Sequence, residues 1–479
     1  MVPQTASMPL VMQKTDAVRA VRREHMYAKL PRSGVTKEMV MQMAEEYGVQ
    51  FVDMQFTDIL GTLKAKTVPV HKLEDAIDHG IWFDGSSIKG FARITETDMF
   101  LKPDLNTFAV LPWTKDGADV TARLICDSFM PDGKAFEGDP RRILKRQLEE
   151  LAALGMKFLT GPELEFFIFK PDANGNISTT PHDDAGYFDQ TNDLALEIRR
   201  VMSFALDEMG LEIEALHHEV AQGQHEINFK YDDALRTADN AISMKQTLKA
   251  VAQKMGLYVS FMPKPIFGIN GSGMHVHQSL AALEDGTNKF YDKNGKYGLS
   301  ALALSFMAGQ MKHIKAMNAI MNPTVNSYKR LVIGYEAPVN VAWGQRNRSA
   351  LIRVPRVVEG TESKATRCEL RCPDPSSNPY LTLSVLLAAG LDGIKKGMVP
   401  PDAVEDNIWR LTPEEMKAKN VTQVASSLKE ALDALRDDEV IRGALGEYFF
   451  HKFYDLKMAE YDEYRMSVSD WERDMYLNV

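Results

Sequence analysis

Apolar residues recur at helical spacing in one short stretch near the start of the chain. Within residues 36–47, Val40, Met43, Ala44 and Tyr47 fall on one face, which predicts an amphipathic helix. A helix of this length buries one stripe of side chains against another element. We therefore expect it to lie on a sheet formed by the residues that follow.

Two runs of strand-like composition come next, at residues 50–57 and 63–68. Gly61 lies between them and can adopt the backbone conformation of a tight turn, so the pattern predicts a β-hairpin. A loop rich in glycine and serine is expected at residues 83–90. The turn composition of residues 130–134 indicates a domain boundary.

Beyond that turn, long helical patterns alternate with short strands that carry many charged residues. We predict helices over residues 139–154, 193–209, 232–255, 300–321, 379–396 and 424–436, followed by a largely helical tail. The sequence thus predicts an α+β protein. It has an extension at residues 1–33, a small β-rich domain at 34–130 and a large second domain at 131–479.

Charge and hydropathy narrow the possible partners. The chain of 479 residues has a net charge of −10, which argues against nucleic acid, since that partner requires a basic face. No apolar run approaches the ~20 residues of a membrane span. The arginine-containing extension has no apolar core typical of a secretory signal, although an organelle presequence is an alternative. We expect a soluble, cytoplasmic protein with no membrane partner.

The three cysteines, Cys126, Cys368 and Cys372, are odd in number and form no C-x-x-C pair. We expect reduced thiols, as is usual for proteins of the cytosol. Metal ligation by Cys368 and Cys372 is the alternative.

Two carboxylates interrupt an otherwise apolar strand of the second domain. Glu163 and Glu165 occur in the run Gly-Pro-Glu-Leu-Glu-Phe and share one strand face, because residues i and i+2 point the same way. Adjacent carboxylates resist burial unless a cation lies between them. A cation site is therefore indicated, and a solvated strand face is the alternative.

Two further segments repeat this polar pattern around glycines. Residues 217–226 place Glu219 and Glu226 on either side of a turn that contains glycine. The run Gly-Ser-Gly-Met-His-Val-His puts His275 and His277 on one strand face, next to glycines that permit close backbone approach to a ligand. A polar hairpin and a structural histidine pair are the respective alternatives.

A last strand alternates charge, with Arg367, Glu369 and Arg371 on one face. Such a face suits a site that holds both an anion and a metal ion, and a ladder of surface ion pairs is the alternative. The segments together supply five carboxylates and one imidazole as candidate metal ligands: Glu163, Glu165, Glu219, Glu226, His275 and Glu369. Ligands that are mostly oxygen favour Mg²⁺ or Mn²⁺ over Zn²⁺, and six of them suit two ions, as in phosphoryl transfer.

A group of basic residues follows in the second half of the chain: Arg330, Arg346, Arg348, Arg353, Lys364, Arg367 and Arg371. Arginine forks match the geometry of carboxylates and phosphates. The chain has no G-x-x-x-x-G-K-[ST] loop, so a bound nucleotide would depend on metal ions and these side chains.

These motifs, taken in order, resemble those of type I glutamine synthetases. The resemblance rests on Phe83-Asp-Gly-Ser-Ser-Ile, Gly161-Pro-Glu-Leu-Glu-Phe, Asn270-Gly-Ser-Gly-Met-His-Val-His, Asn326-Ser-Tyr-Lys-Arg-Leu, Gly334-Tyr-Glu-Ala-Pro, Asn347-Arg-Ser and Glu369-Leu-Arg-Cys-Pro-Asp. It extends from residue 37 to the C-terminus. It implies a β-grasp-like N-terminal domain and a catalytic domain whose antiparallel strands form an active-site bowl surrounded by helices.

The resemblance also implies a function: ATP-dependent joining of ammonium to glutamate through γ-glutamyl phosphate, with two or more Mg²⁺ or Mn²⁺ ions. The implied metal ligands are Glu165, Glu219 and Glu226 near glutamate, and Glu163, His275 and Glu369 near ATP. The implied catalytic residues are Asp84, Glu336 and Arg348, and the substrate-binding residues are Ser87, Asn270, Gly271, Arg330 and Arg371. The implied nucleotide contacts are Glu214, His277, Ser279, Arg353, Lys364 and Arg367.

The same resemblance implies a homo-dodecamer of two hexameric rings, with the Asp84 loop completing the active site of a neighbouring chain. Trp409 occupies the place of the tyrosine that is adenylylated in one branch of the family. Together with Arg93 and the Glu219 loop, it indicates the other branch, which glutamine feedback and partner proteins control. A γ-glutamyl ligase for a polyamine or another amine, and a non-catalytic relative, are the alternatives.

Overall fold

The computed structural model describes residues 31, 33–88, 98–115, 117–406 and 408–479. The predicted extension therefore lies almost wholly outside the described residues, and so does Arg93. The side chains of Ser87 and Trp409 are also outside them.

The described N-terminal residues form a five-stranded sheet with two helices. Its elements are α1 (Lys37–Glu46), β1 (Phe51–Thr57), β2 (Leu63–Pro69), α2 (Leu73–His79), β3 (Ile81–Asp84), β4 (Asp98–Val110) and β5 (Thr121–Phe129). The strand order is β2-β1-β5-β4-β3, with β1 and β5 parallel and the other neighbours antiparallel. Strand β3, which ends at Asp84, is therefore an edge strand.

The first predicted helix and hairpin are confirmed. The Thr36 hydroxyl caps α1 by accepting a hydrogen bond from the backbone N–H of Met39 at 3.3 Å, and Val40 and Ala44 are buried as the periodicity predicts. Strands β1 and β2 pair antiparallel, and Gly61 in the turn between them has φ +81°, a backbone conformation that glycine adopts readily.

A second, larger sheet contains eleven strands among the described residues. They are β6 (Met156–Lys170), β7 (Thr180–Pro181), β8 (Ile213–His218), β9 (Gln224–Phe229), β10 (Asp232–Asp233), β11 (Tyr258–Ser260), β12 (Met274–Ala282), β13 (Asn340–Gly344), β14 (Ala350–Arg353), β15 (Cys368–Leu370) and β16 (Thr422–Gln423). The main order is β16-β13-β14-β15-β12-β6-β9-β8. The prediction that antiparallel strands form the bowl is wrong for one pair, because β13 and β14 are parallel.

Helices surround this sheet: α3 (Pro140–Ala153), α4 (Leu196–Glu208), α5 (Ala234–Lys254), α6 (Ala301–Met321), α7 (Ser327–Arg330), α8 (Glu362–Ala365), α9 (Pro379–Lys395), α10 (Pro413–Ala418), α11 (Leu428–Asp437), α12 (Glu439–Leu445), α13 (Glu447–Met466) and α14 (Asp470–Tyr476). The helix predicted from residue 193 begins at Leu196, because the Asp193 carboxylate instead binds Arg199 in a buried ion pair. The helix predicted from residue 424 begins at Leu428, where Ser427 caps it. Among the described residues, no helix combines the length and apolarity that a bilayer span requires.

A buried arginine on helix α3 joins the N-terminal sheet to helix α5. The guanidinium of Arg141 on α3 donates to Asp104 and Asp127 of the N-terminal sheet at 2.8 and 2.9 Å, and to Asp239 on α5 at 2.9 Å. Its side chain is only 2% exposed, so its charge depends on these three partners rather than on water.

His313 on α6 lies between two aspartates and links three helices. Its imidazole hydrogen-bonds to Asp438 at 2.6 Å and to Asp392 at 3.0 Å, and Lys396 also pairs with Asp392. Burial opposes the charged imidazole, but the bonds to Asp438 and Asp392 outweigh it and raise the pKa of His313. Burial also opposes the negative charges of the two aspartates. Hydrogen bonds from Lys396 and His313 to Asp392, and from His313 to Asp438, outweigh it and lower both pKa values.

We expect His313→Gln to destabilise the protein by about 2 kcal/mol near pH 6, because charged hydrogen bonds are lost. The contribution of His313 is complete below its unfolded pKa of about 6.5 and declines as pH rises through the higher folded value. Urea unfolding of wild type and variant from pH 5 to 9 measures the difference, which should shrink toward alkaline pH. His451→Gln, an exposed histidine paired with Glu447, is the control. If the difference in free energy of unfolding did not change with pH, this would contradict a charged His313 imidazole.

Candidate functional site

The strand register of the large sheet brings the predicted ligands together. Strand β6 pairs with β9 on one side, where Glu165 lies opposite Glu226, and with β12 on the other, where Glu163 lies opposite His275. Strand β12 also pairs with β15, which places His277 opposite Glu369. Residues far apart in the sequence thus meet on neighbouring strands.

The first group of ligands surrounds Glu163. One oxygen of its carboxylate lies 2.9 Å from Nε2 of His277, and the other lies 3.3 Å from Nδ1 of His275. Ligand atoms of Glu163, His277 and Glu369 lie within 4.8 Å of one another, which is close enough to share an ion. His277, predicted on the nucleotide side, therefore reaches the same group as the predicted ligand His275.

Two arginines hold Glu369, the second carboxylate of this group. The side chain of Glu369 is 1% exposed, accepts a hydrogen bond from Arg353 at 2.9 Å and also pairs with Arg371. Burial disfavours the charge on Glu369, but the positive charge of Arg371 outweighs it and lowers the pKa. Glu369 is therefore available as a charged ligand.

The second group of ligands lies on the other side of β6, on β8, β9 and the turn between them. The His217 imidazole is 2.8 Å from a Glu219 oxygen, and ligand atoms of His217, Glu219 and Glu226 lie within 4.8 Å of one another. The Glu165 carboxylate accepts hydrogen bonds from the Gly273 backbone N–H at 2.8 Å and from the Gln224 amide at 2.9 Å. These two donors fix the orientation of Glu165 toward the group.

Repulsion between buried carboxylates makes this group suited to cations. Burial, reinforced by the charge of Glu219, raises the pKa of Glu165 to about 8. Burial and the charges of Glu163, Glu165 and Glu219 likewise raise the pKa of Glu226 well above its usual range. A divalent cation among the carboxylates would remove this penalty, and the oxygen-rich donor set matches Mg²⁺ or Mn²⁺.

A cavity of about 750 Å³ opens beside the first group. Five of the six predicted nucleotide contacts line it, namely Glu214, His277, Ser279, Lys364 and Arg367. The sixth, Arg353, binds Glu369 instead. Sequence reasoning did not single out the lining residues Asn228, Tyr231, Asn288 and Thr366, because no local pattern marks them. Glu163 lines the same cavity, so a nucleotide there would place its phosphates near the first group.

Two family profiles match the chain. The profile described as glutamine synthetase, catalytic domain, matches residues 137–476, and the one described as glutamine synthetase, beta-Grasp domain, matches residues 48–131. The chain belongs to the glutamine synthetase family. The small N-terminal sheet is thus a β-grasp domain, and the fold class that the sequence predicted is confirmed.

Curated glutamine synthetases are similar to the chain over nearly its whole length. The protein from Clostridium saccharobutylicum is 53% identical over 444 residues, which cover 92% of this chain and 99% of that one. The protein from Thermus thermophilus is 51% identical over 448 residues, covering 93% and 99%. The protein from Staphylococcus aureus strain Mu50 is 48% identical over 450 residues, covering 94% and 99%.

Solved structures share the fold. One described as "GmaS/ADP complex-Conformation 1" has a TM-score of 0.83 and 33% identity, and another described as "Apo GmaS without ligand" has a TM-score of 0.81 and 33% identity. Each comparison covers 92% of this chain and 99% of the other.

Of the glutamate-binding residues implied by the family resemblance, Asn270, Gly271 and Arg330 lie on the Glu165 side of the site, whereas Arg371 pairs with Glu369 of the first group. Gly271 packs so closely that a Cβ atom there would lie 2.2 Å from the carbonyl oxygen of Pro263, so only glycine fits. Arg330 is buried beside it and donates to the carbonyls of Cys372 and Pro373 at 2.8 and 3.1 Å. The amide of Asn270 lies 3.5 Å from the Glu336 carboxylate.

Two other predicted residues, Arg348 and Asp84, belong to neither ligand group. Arg348 is exposed. Asp84 lies on the edge strand of the β-grasp domain and accepts hydrogen bonds from the Ser86 backbone N–H and hydroxyl at 2.8 and 2.7 Å. These bonds lower the pKa of Asp84, which keeps it negatively charged.

An aromatic pair beside His217 was not predicted. Tyr187 and Phe188 pack edge-on against the His217 ring, with centroids 5.8 and 5.1 Å away. Phe188 has φ +60°, a conformation that is uncommon for a bulky residue and that clusters at functional sites. Two adjacent aromatic residues after a glycine are a weak signal in a sequence, and only the structure places them here.

All three cysteines are free and buried. Burial raises the pKa of the Cys368 and Cys372 thiols to about 12. Neither thiol is therefore ionised at neutral pH, which disfavours them as metal ligands.

Proposed function

We propose that the chain joins ammonia to the side-chain carboxylate of L-glutamate at the expense of ATP, giving L-glutamine, ADP and phosphate. The observation that carries this proposal is the pair of carboxylate and histidine groups on either side of β6, the first of which shares Glu163 with a cavity that can hold a nucleotide. Cations bound by these groups would place positive charge between a phosphate donor and a carboxylate acceptor, which suits phosphoryl transfer.

Two or more Mg²⁺ or Mn²⁺ ions fit this site. When bound, such ions neutralise phosphate oxygens and so lower repulsion between ATP and the glutamate carboxylate. The first ion would be held by Glu163, Glu369 and a histidine, His275 or His277. The second would be held by Glu165, Glu219 and Glu226.

The reaction has two steps. The γ-carboxylate of glutamate attacks the terminal phosphorus of ATP, ADP leaves, and γ-glutamyl phosphate forms. Arg330 and Arg371 orient glutamate, while Arg348 offsets the charge that develops on the transferring phosphoryl group. Ammonium loses a proton to Asp84, and the ammonia formed attacks the γ-carbonyl carbon and releases phosphate. Glu336 covers the intermediate and limits its reaction with water.

A second chain completes this site in our proposal. Asp84 and Ser87 lie on the edge strand and following turn of the β-grasp domain, where a neighbouring chain can use them. We therefore propose a dodecamer of two hexameric rings in the cytoplasm, with residues 34–130 and 131–479 as domains. Trp409 has no hydroxyl to modify, which supports control by glutamine and partner proteins instead of adenylylation.

Arg367→Met is expected to raise the KM for ATP about 10- to 100-fold, since a charged hydrogen bond to phosphate contributes about 1.5–3 kcal/mol. Arg367 lines the cavity and its Nε donates to His277 at 3.2 Å. Steady-state kinetics at varied ATP and saturating glutamate measure the effect. Arg356→Met, an exposed arginine near this segment, is the control. An unchanged KM for ATP would argue against a nucleotide in this cavity.

An assay of glutamine formation with ATP and Mg²⁺ tests the proposed function. We expect activity with ammonium, and little with putrescine, ethanolamine or methylamine as the amine. Preference for one of these amines would replace the proposal with a different γ-glutamyl ligase, and no activity with any amine would indicate a non-catalytic relative. The same assay with added glutamine or 2-oxoglutarate then measures whether either compound regulates the activity.

A further inference from the structure

A buried lysine lies next to the active site without a carboxylate partner. The side chain of Lys264 belongs to a residue that is 8% exposed, and burial together with nearby Arg330 lowers its pKa. No carboxylate acts on it among the described residues. A lysine in such a place needs other groups to compensate its charge.

Two groups provide that compensation, and they belong to different loops. The ammonium of Lys264 lies 3.7 Å from the ring centroid of Tyr335, within the range of a cation–π interaction. It also donates a hydrogen bond to the carbonyl of Ile269. The lysine therefore links residues 334–336, which carry Glu336, to residues 269–271, which carry Asn270 and Gly271.

Two hydrogen bonds hold the backbone of Lys264 in place. Its backbone N–H donates to the Asn326 side chain at 2.7 Å, and its carbonyl accepts from the same side chain at 3.0 Å. Asn326 directly precedes α7, the helix that ends at Arg330. The lysine side chain thus extends from a backbone that is hydrogen-bonded to the residue before α7.

The segment that it contacts has little other support. Glu336 has φ +60°, which is unfavourable for a residue other than glycine, and residues 332–334 and 336 are exposed. The Glu336 carboxylate approaches residues 269–271 at the amide of Asn270, 3.5 Å away. A segment of this kind needs an anchor to stay over the site.

We propose that Lys264 is a positioning residue that latches residues 334–336 over the active site through the face of Tyr335. This inference rests on the proposed function, because the latch matters only if a reactive acyl phosphate needs protection from water. Loss of the latch would let water reach that intermediate, so that phosphate is released without glutamine.

The first test does not depend on activity. Hydrogen–deuterium exchange of the full chain measures how often residues 332–337 open. Lys264→Met and Tyr335→Leu should each speed exchange there about 10-fold, whereas Lys264→Arg and Tyr335→Phe, which keep the cation or the ring, should resemble wild type. Lys102→Met, which removes a lysine from the Phe129 ring of the β-grasp domain, is the matched control.

The second test measures phosphate released per glutamine formed. We expect a ratio near one in wild type and Lys102→Met, and about threefold higher in Lys264→Met and Tyr335→Leu. The double variant should be no worse than either single variant, because both remove the same interaction.

Unchanged exchange in residues 332–337, or an effect confined to Lys264→Met, would overturn the latch. Faster exchange with a ratio that stays at one would overturn its protective role. If wild type forms no glutamine, the proposed function fails, while the exchange measurement still decides whether Lys264 holds the segment. Tyr335→Leu changes a partly exposed residue, so it keeps the test decisive should Lys264→Met fail to fold.

Discussion

Glu226→Gln is expected to lower the kcat/KM of glutamine formation about 1000-fold and yet raise the melting temperature of the metal-free protein by about 3 °C. Activity falls because a neutral amide is a poorer ligand for a divalent cation than a carboxylate. Stability rises because Glu226 is 5% exposed and lies opposite Glu165 in the strand register. Glutamine stays neutral, so it removes the free-energy cost that two facing buried carboxyl groups impose, whether as repulsion or as proton uptake.

Mg²⁺ should reverse this order of stability. Wild type gains about 2.7 kcal/mol when Mg²⁺ is present at 100 times its dissociation constant, and the variant gains less because it binds the ion more weakly. Melting curves with EDTA and with Mg²⁺ measure both effects. Glu212→Gln, which changes a half-exposed glutamate paired with Lys230, is the control and should alter neither property. A variant that is less stable than wild type in EDTA would show that Glu226 has a structural role instead.

Arg141→Met is expected to destabilise the protein by about 4 kcal/mol, the largest effect on stability that we predict outside the active site. Methionine fills much of the space of arginine but cannot compensate the carboxylates of Asp104, Asp127 and Asp239. These groups would remain close together where helix α5 meets the N-terminal sheet. Urea unfolding followed by circular dichroism measures the loss.

The neighbouring residue provides a matched control for this variant. Arg142 lies on the same helix, is partly exposed and pairs with Glu149. Arg142→Met should cost less than about 1 kcal/mol, as is typical of surface ion pairs. Similar losses for the two variants would contradict the view that burial sets the importance of Arg141.

Features encoded locally could be predicted from the sequence. The cap at Thr36 and the turn at Gly61 depend on residues a few positions apart, so composition and periodicity suffice. The face shared by Glu163 and Glu165 follows from the two-residue period of a strand. Local sequence alone is therefore enough to predict such features.

Features that depend on distant partners could not be predicted in this way. Lys264 and Tyr335 are far apart in the sequence, and neither residue belongs to a pattern that indicates contact. The parallel pairing of β13 with β14 likewise depends on topology, which hydrophobic periodicity does not report. By contrast, the predicted start of α4 at residue 193 was wrong for a local reason, because the Asp193 carboxylate accepts a hydrogen bond from the Ala195 backbone N–H and pairs with Arg199.

The central proposal is that the two ligand groups hold a pair of divalent cations. Crystals of the protein grown with Mn²⁺ and ATP, measured at the manganese absorption edge, test it most directly. We expect two anomalous peaks per chain, one among Glu165, Glu219 and Glu226, and the other at Glu163 and Glu369 with a histidine. A single peak, or peaks away from these side chains, would contradict the account.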